Sequence, residues 1–335
     1  MRPLDFTLIL IVFCATWQTG ASAQPPTPPS TATPGLISTA PAAQALLDAA
    51  IKTLTKPEGV DVKFVQTIFN RSQPATITGR SVTAPGKRSL VELDYQQMKR
   101  QAKLKVLCDG DTFYRLTALP ESNQLMTYKM KDLQEALDKL ASNEAERVAK
   151  EDVEKHQQGL HGFDGIAAQL KDLSKRMFFS APVETILELP GKPKQTVKMI
   201  EGQWTPAMVD MIAPNKKTDD PRQQDLRYLW NERLDFFQVP RSAKIYFDAA
   251  TGHLIRLELL GITERKGADK LLVSLDVTSL TFPTTLDTKL FKPTEAELKY
   301  TSIPIDMAAM IKSSHAQMMN TLKLQQQQQS QNERK

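Results

Sequence analysis

Between residues 60 and 130 the sequence switches between apolar and polar residues at nearly every second position, in six short runs separated by turn-forming residues. The runs are 60–69 (VDVKFVQTIF), 75–84 (ATITGRSVTA), 89–95 (SLVELDY), 102–108 (AKLKVLC), 112–116 (TFYRL) and 123–130 (NQLMTYKM). Side chains of a strand point alternately to opposite faces, so each run has two distinct sides. In 102–108, Ala102, Leu104, Val106 and Cys108 share one side and Lys103 and Lys105 the other. Pro85-Gly86-Lys87 and Asp109-Gly110-Asp111 are tight turn signals, which join antiparallel neighbours. The expectation is an antiparallel meander with one apolar face that something else must cover.

The covers are helical. Ala43, Leu46, Leu47, Ala50, Ile51 and Leu54 fall at helical spacing, and Lys56-Pro57-Glu58-Gly59 ends that segment. Over 131–177 the helical period returns, with Leu133, Leu137 and Leu140, then Leu160, Phe163, Ile166, Leu170, Leu173 and Met177. The charged stretch 143–158 between them reads as a solvated face or connection. Strand patterns resume at 196–204, 225–232, 241–249, 253–262 and 270–282. Runs of strands separated from runs of helices indicate an α+β fold with a mostly antiparallel sheet.

The ends are different in kind. Phe6–Trp17 is an apolar run of twelve behind Arg2, followed by Ala21-Ser22-Ala23, a small-x-small cleavage site. Twelve residues rise about 18 Å as a helix, against about 30 Å of bilayer core. Residues 1–23 therefore read as an export signal cut near Ala23, leaving an exported or periplasmic, soluble chain. Residues 24–41 are a Pro/Thr/Ser linker. Residues 42–299 form the folded domain. Residues 300–335 form a tail, with Met307–Leu322 as an amphipathic helix before the glutamine run 325–329.

Cleavage removes Cys14 and leaves Cys108, which alone cannot form an internal disulfide. Cys108 reads as a buried small hydrophobe. The net charge of +5 over 335 residues is too slight to argue for nucleic acid. No Gly-rich phosphate loop, HExxH or CxxC occurs, and His156 and His161 diverge on a helix. Asp109 and Asp111 are explained by their turn. Asn70-Arg71-Ser72 fits a glycan acceptor, a common triplet. No cofactor, metal or catalytic residues are expected.

Several stretches carry a resemblance. They are the helix 43–55 leading into VKFVQTIF with Phe64 and Gln66, Gly79 to Pro85, and VLCDGDTFYRL. Further on come the pair of strands containing Trp230, Glu232, Pro240 and Arg241, and LDVTSLTFPTTLDTKLFKPTEAEL. In this order they resemble the outer-membrane lipoprotein-sorting family, over roughly residues 43–297. The resemblance implies an open, half-closed β-barrel, a curved sheet with helices covering its concave face around an apolar cavity. The family's carrier has an arginine before the proline that matches Pro85. Here Ala84 stands there, so the carrier's latch through that arginine is not expected.

Alternation selects the lining residues of such a cavity. They are Phe64, Leu93, Leu104 and Val106 in the first half, and Leu229, Ile245, Phe247, Leu257 and Leu275 in the second. The function expected is non-enzymatic binding of lipid or lipoprotein acyl chains for envelope transport, with a membrane protein as donor or acceptor. The alternative is an envelope-stress sensor on the same fold, with residues 300–322 as the partner site.

Overall fold

The computed structural model describes residues 38–56, 58–69, 74–98, 100–139, 165–189, 191–205, 240, 242–262, 269–303 and 305. The signal, linker residues 24–37, the charged stretch 143–158 with His156, and His161, Leu229, the 225–232 strand, the Asn70 triplet and the tail helix lie outside the described residues; of the linker, 38–41 are described, and Pro41 belongs to the first helix.

Three helices are described: α1 (Pro41–Leu54), α2 (Met130–Asp138) and α3 (Gly165–Arg176). The strands are β1 (Val60–Ile68), β2 (Ala75–Ala84), β3 (Arg88–Gln97), β4 (Arg100–Asp109), β5 (Thr112–Leu119) and β6 (Ser122–Lys129). They continue with β7 (Met177–Phe179), β8 (Val183–Leu187), β9 (Gln195–Trp204), β10 (Ser242–Asp248), β11 (Leu254–Ile262), β12 (Asp269–Thr281) and β13 (Thr301–Ile303). All thirteen belong to one open sheet in the order 13-6-5-4-3-2-1-12-11-10-9-7, with β8 also on β9. Every pairing is antiparallel except β13 on β6. The α+β architecture thus matches expectation. Met177 differs, because it opens β7 rather than ending a helix.

Two meanders are joined through their outer members, as β1 pairs with β12. α1 starts with Pro41, whose missing N–H costs nothing in the first turn, and buries Ala43, Leu47, Ala50 and Leu54 along one stripe. α3 buries Ile166, Ala167 and Leu170. Together they cover Val62, Phe64, Ile200, Ile245, Phe247, Leu257 and Leu275 on one face of the sheet, here the inner face. The register carries that face from Val62 through Ser81 and Val91 to Val106. There α2 adds Leu133 to Val106, Phe113 and Tyr128.

The expectation of a single apolar face is corrected. Val82, Leu90, Leu107, Leu116 and Leu125 form a second core on the outer face around Phe291. The chain from 283 to 300 is a strap that crosses this face. Short 3₁₀ turns at Thr288–Phe291 and Glu297–Lys299 shape it. A reciprocal cap fixes the second turn: Thr294 N donates to Glu297 Oε2 at 2.7 Å and Glu297 N to Thr294 Oγ1 at 3.3 Å. β13 then covers the edge of β6, which protects an otherwise open strand.

Candidate ligand-binding face

Under α1 and α3 the inner face is filled. The cavity between Leu54, Val60, Val62, Ser81, Thr83, Ile166 and Ala167 measures about 10 Å³, room for one water at most. Phe64 lies directly over Gly79: a Cβ built there would sit 2.1 Å from its Cζ. The ring therefore reaches across β2 and packs with Leu93 in the same cluster. Phe64, Ile245, Phe247, Leu257 and Leu275 are brought together here, all buried. Polar groups intrude: Gln66 is 3% exposed, and its Nε2, like the buried Oγ1 of Thr83 at the cavity, has no hydrogen-bond partner among the described residues.

The face continues across β3 to β6 without that depth of cover. Gly165, at the start of α3, abuts Ser81 of β2, where an added Cβ would lie 2.6 Å from Oγ. α2 rests against Val106, Phe113 and Tyr128. On this part of the face Val91, Leu93, Leu104 and Met126 are part-exposed, with Val91 and Leu104 packed against the α2 cluster. Leu93 faces Leu104 and Val91 faces Val106 across the ladder, so the apolar stripe is continuous with the core. Leu93, Leu104 and Val106 are thus adjacent and reach the first group through Phe64.

The rest of the stripe's surroundings are specific. Phe113 and Tyr128 stack at 4.7 Å, and burial pushes the Tyr128 phenol well above its ordinary range. Cys108, in the same row, is a free and fully buried thiol raised by burial, which disfavours the reactive thiolate. Asp109 Oδ1 accepts the N–H groups of Asp111 at 3.0 Å and Thr112 at 2.8 Å, the turn role expected. Arg115 was not singled out from the sequence. Its position between Phe113 and Thr117 places it on the inner face, opposite Val106 on β4 and Met126 on β6. The signal available was the parity of the strand.

The outer face offers a hollow of about 430 Å³ lined by Thr76, Thr78, Asp94, Gln96, Gln101 and Lys103. Its charges neutralise each other, with Lys103 Nζ 3.2 Å from Asp94 Oδ2. Among the described residues no group of three His, Cys, Asp or Glu could hold a metal ion.

Among the described residues the architecture is an open antiparallel sheet with helices on one face and a part-exposed apolar stripe beside them. The chain is structurally similar to LprF from Mycobacterium bovis, at 13% identity over 75% of this chain and 98% of that one, TM-score 0.34. It is also similar to an outer membrane lipoprotein-sorting protein domain from Vibrio parahaemolyticus, at 11% identity over 73% of this chain and 95% of that one, TM-score 0.25. A third is Pseudomonas aeruginosa MucB, solved in complex with MucA, at 14% identity over 77% of this chain and 63% of that one, TM-score 0.28. The likeness is one of architecture. No protein-family model and no curated protein matches the chain.

Proposed function

We propose that this is a non-enzymatic, exported binding protein whose inner face between α2 and α3 receives an acyl chain of a lipid or lipoprotein. The supporting observation is the part-exposed stripe of Val91, Leu93, Leu104 and Met126, continuous with a packed apolar core. Each CH₂ moved from water to such a face gains about 0.8 kcal/mol. Most of that gain disappears when the donor is a membrane, where the chain is already out of water. A shallow, half-covered site then suits exchange between donor and acceptor better than a sealed one.

The test is uptake of a fluorescent fatty-acid analogue by the full chain. Leu104→Asp places a carboxylate on the stripe and is expected to lower binding at least about tenfold, since an unpaired charge is costly beside an apolar ligand. Lys103→Glu points to the other face, where Lys103 is exposed, and is expected to leave uptake as it was. A folded wild type that takes up no acyl probe, or equal behaviour of the two variants, rejects the reading. Export carries its own expectation. N-terminal sequencing of envelope-derived protein should begin at Gln24, and an intact Met1 would reject cleavage.

A second reading, a sensor that binds a partner's segment, draws on one observation. Ile305 packs against the inner-face cluster of Val106, Phe113, Tyr128 and Leu133, so the tail departs beside the stripe. Partner affinity that is lost on truncation after Ile305, with no lipid co-purifying, would favour sensing over carriage.

A further inference from the structure

Two part-buried arginines of this sheet are matched to carboxylates, and a third is not. Arg80 holds Asp61 through two hydrogen bonds, of 3.0 and 2.7 Å. Arg256 spans Glu258 at 2.7 Å and Asp276 at 2.9 Å. Both lie on the outer face, where water is also at hand. Arg115 lies part-buried on the inner face and has no hydrogen bond or ion pair among the described residues. Its neighbours across the ladder are Val106 and Met126, and its neighbours along β5 on that face are Phe113 and Thr117. α2 turns Met130, Leu133 and Ala136 toward this cluster, while Asp132, Glu135 and Asp138 are exposed. Burial alone acts on the guanidinium and draws it below its ordinary range. A guanidinium remains charged in such a place, and an uncompensated charge on an apolar surface is destabilising.

Resting on the acyl-binding reading above, we propose that Arg115 is the anchor for the head of an anionic amphiphile, a carboxylate or phosphate oxyanion whose tail lies along Val91, Leu93 and Leu104. The planar fork of five donors suits a two-oxygen acceptor, and a ligand oxyanion would supply the partner that the described residues do not. The direction follows from the register. Arg115 is one strand beyond Val106, so the head sits beside α2 and the tail runs across β4 and β3 toward Phe64. The site thereby distinguishes an ionised amphiphile from a neutral one with the same tail, which the apolar stripe alone cannot do.

The experiment uses the full chain and three ligands with one tail: dodecanoate, dodecyl phosphate and methyl dodecanoate, measured by displacement of the fluorescent probe. Either anion is expected to bind about 10- to 100-fold tighter than the ester, the worth of charge-assisted hydrogen bonds in a partly desolvated site. The phosphate binding tighter than the carboxylate identifies a lipid phosphate as the source, and the reverse order a free fatty acid. Arg115→Met retains the apolar stem and is expected to abolish the preference for the anions. Arg115→Lys keeps the charge without the fork and retains part of it. Unliganded Arg115→Met should also unfold at a higher temperature than the wild type, because an unpaired charge is gone. Equal wild-type affinity for ester and anions, or a preference that survives Arg115→Met, overturns the anchor and leaves acyl binding standing. Failure of all three ligands to bind folded protein overturns both.

Discussion

Replacing Phe291 with alanine is expected to cost about 3–5 kcal/mol, the range for deleting a fully buried aromatic ring. Phe291 is 0% exposed and is the fully buried residue through which the strap enters the outer-face core of Val82, Leu90, Leu107, Leu116 and Leu125. Leu286, Leu290 and Tyr300 of the strap pack on the same core but stay part-exposed, and its remaining ties are electrostatic. Lys105 Nζ lies 3.1 Å from Glu297 Oε1 and 3.6 Å from Glu92 Oε1, and Lys292 Nζ is 3.8 Å from Asp109 Oδ2. These cannot hold it alone, since part-exposed pairs contribute little. Loss of the ring should therefore free β13 from β6 as well as lower global stability. Urea unfolding measures the first cost, and hydrogen exchange at Gln124–Met126 reads the second. A loss under about 1 kcal/mol would show that the strap is not packed as described.

The same ties give the strap a pH dependence. Burial alone would raise Glu297, but the Thr294 N–H and Lys105 hold it below the ordinary carboxyl range. A depressed folded value means the contribution is full above the unfolded pKa and is lost as the pH falls through the folded one. Protection of the β6 amides, measured against their intrinsic exchange rates, should accordingly fall in acid before the core melts. Unchanged protection down to the global acid transition would separate Glu297 from strap docking.

Gly79→Ala is the second large effect, about 1–3 kcal/mol of destabilisation by overpacking. The added Cβ would stand 2.1 Å from Phe64 Cζ, 2.4 Å from Cε2 and 2.7 Å from Cε1, so the whole outer edge of the ring is in the way. The ring has little freedom to move, being 7% exposed and packed in the inner core. Shortening the obstacle should relieve the clash. The double variant Phe64→Leu/Gly79→Ala is expected to be more stable than the sum of its two single costs, the non-additivity of residues in contact. Additive costs would mean that the extra methyl group is accommodated by backbone movement and that Phe64 is not the obstacle. Because Phe64 bridges β1 to Leu93, the single variant should also weaken acyl-probe uptake on the stripe.

Much of this was present in the sequence as local pattern. The strand runs, the Asp109–Asp111 turn, the helical stripe of Ala43, Leu47, Ala50 and Leu54, and the opposed sides of Leu104 and Lys103 all depend on neighbours within a few residues. Backbone geometry fixes them wherever the segment is placed. Short strands such as β7, β8 and β13 carry no such pattern. Three to five residues hold too few alternations to register, and their pairing with longer strands creates them.

Parity within a strand does not say which face a given side will meet. Leu90 and Val91 are adjacent β-formers, and the sequence separates them without assigning either to the helices. The tertiary structure did so: α2 and α3 flank Val91, whereas the strap around Phe291 covers Leu90. The joining of β1 to β12 was likewise undetermined, because a ladder between residues so distant in the chain leaves no local trace. Arg115 belongs to the same class. Its alternation with Phe113 was legible, but its lack of an anionic partner among the described residues depends on what β4, β6 and α2 bring beside it. Local spacing is set by covalent geometry and is written in the chain; the surroundings of a side chain are set by non-local packing, and only the folded sheet supplies them.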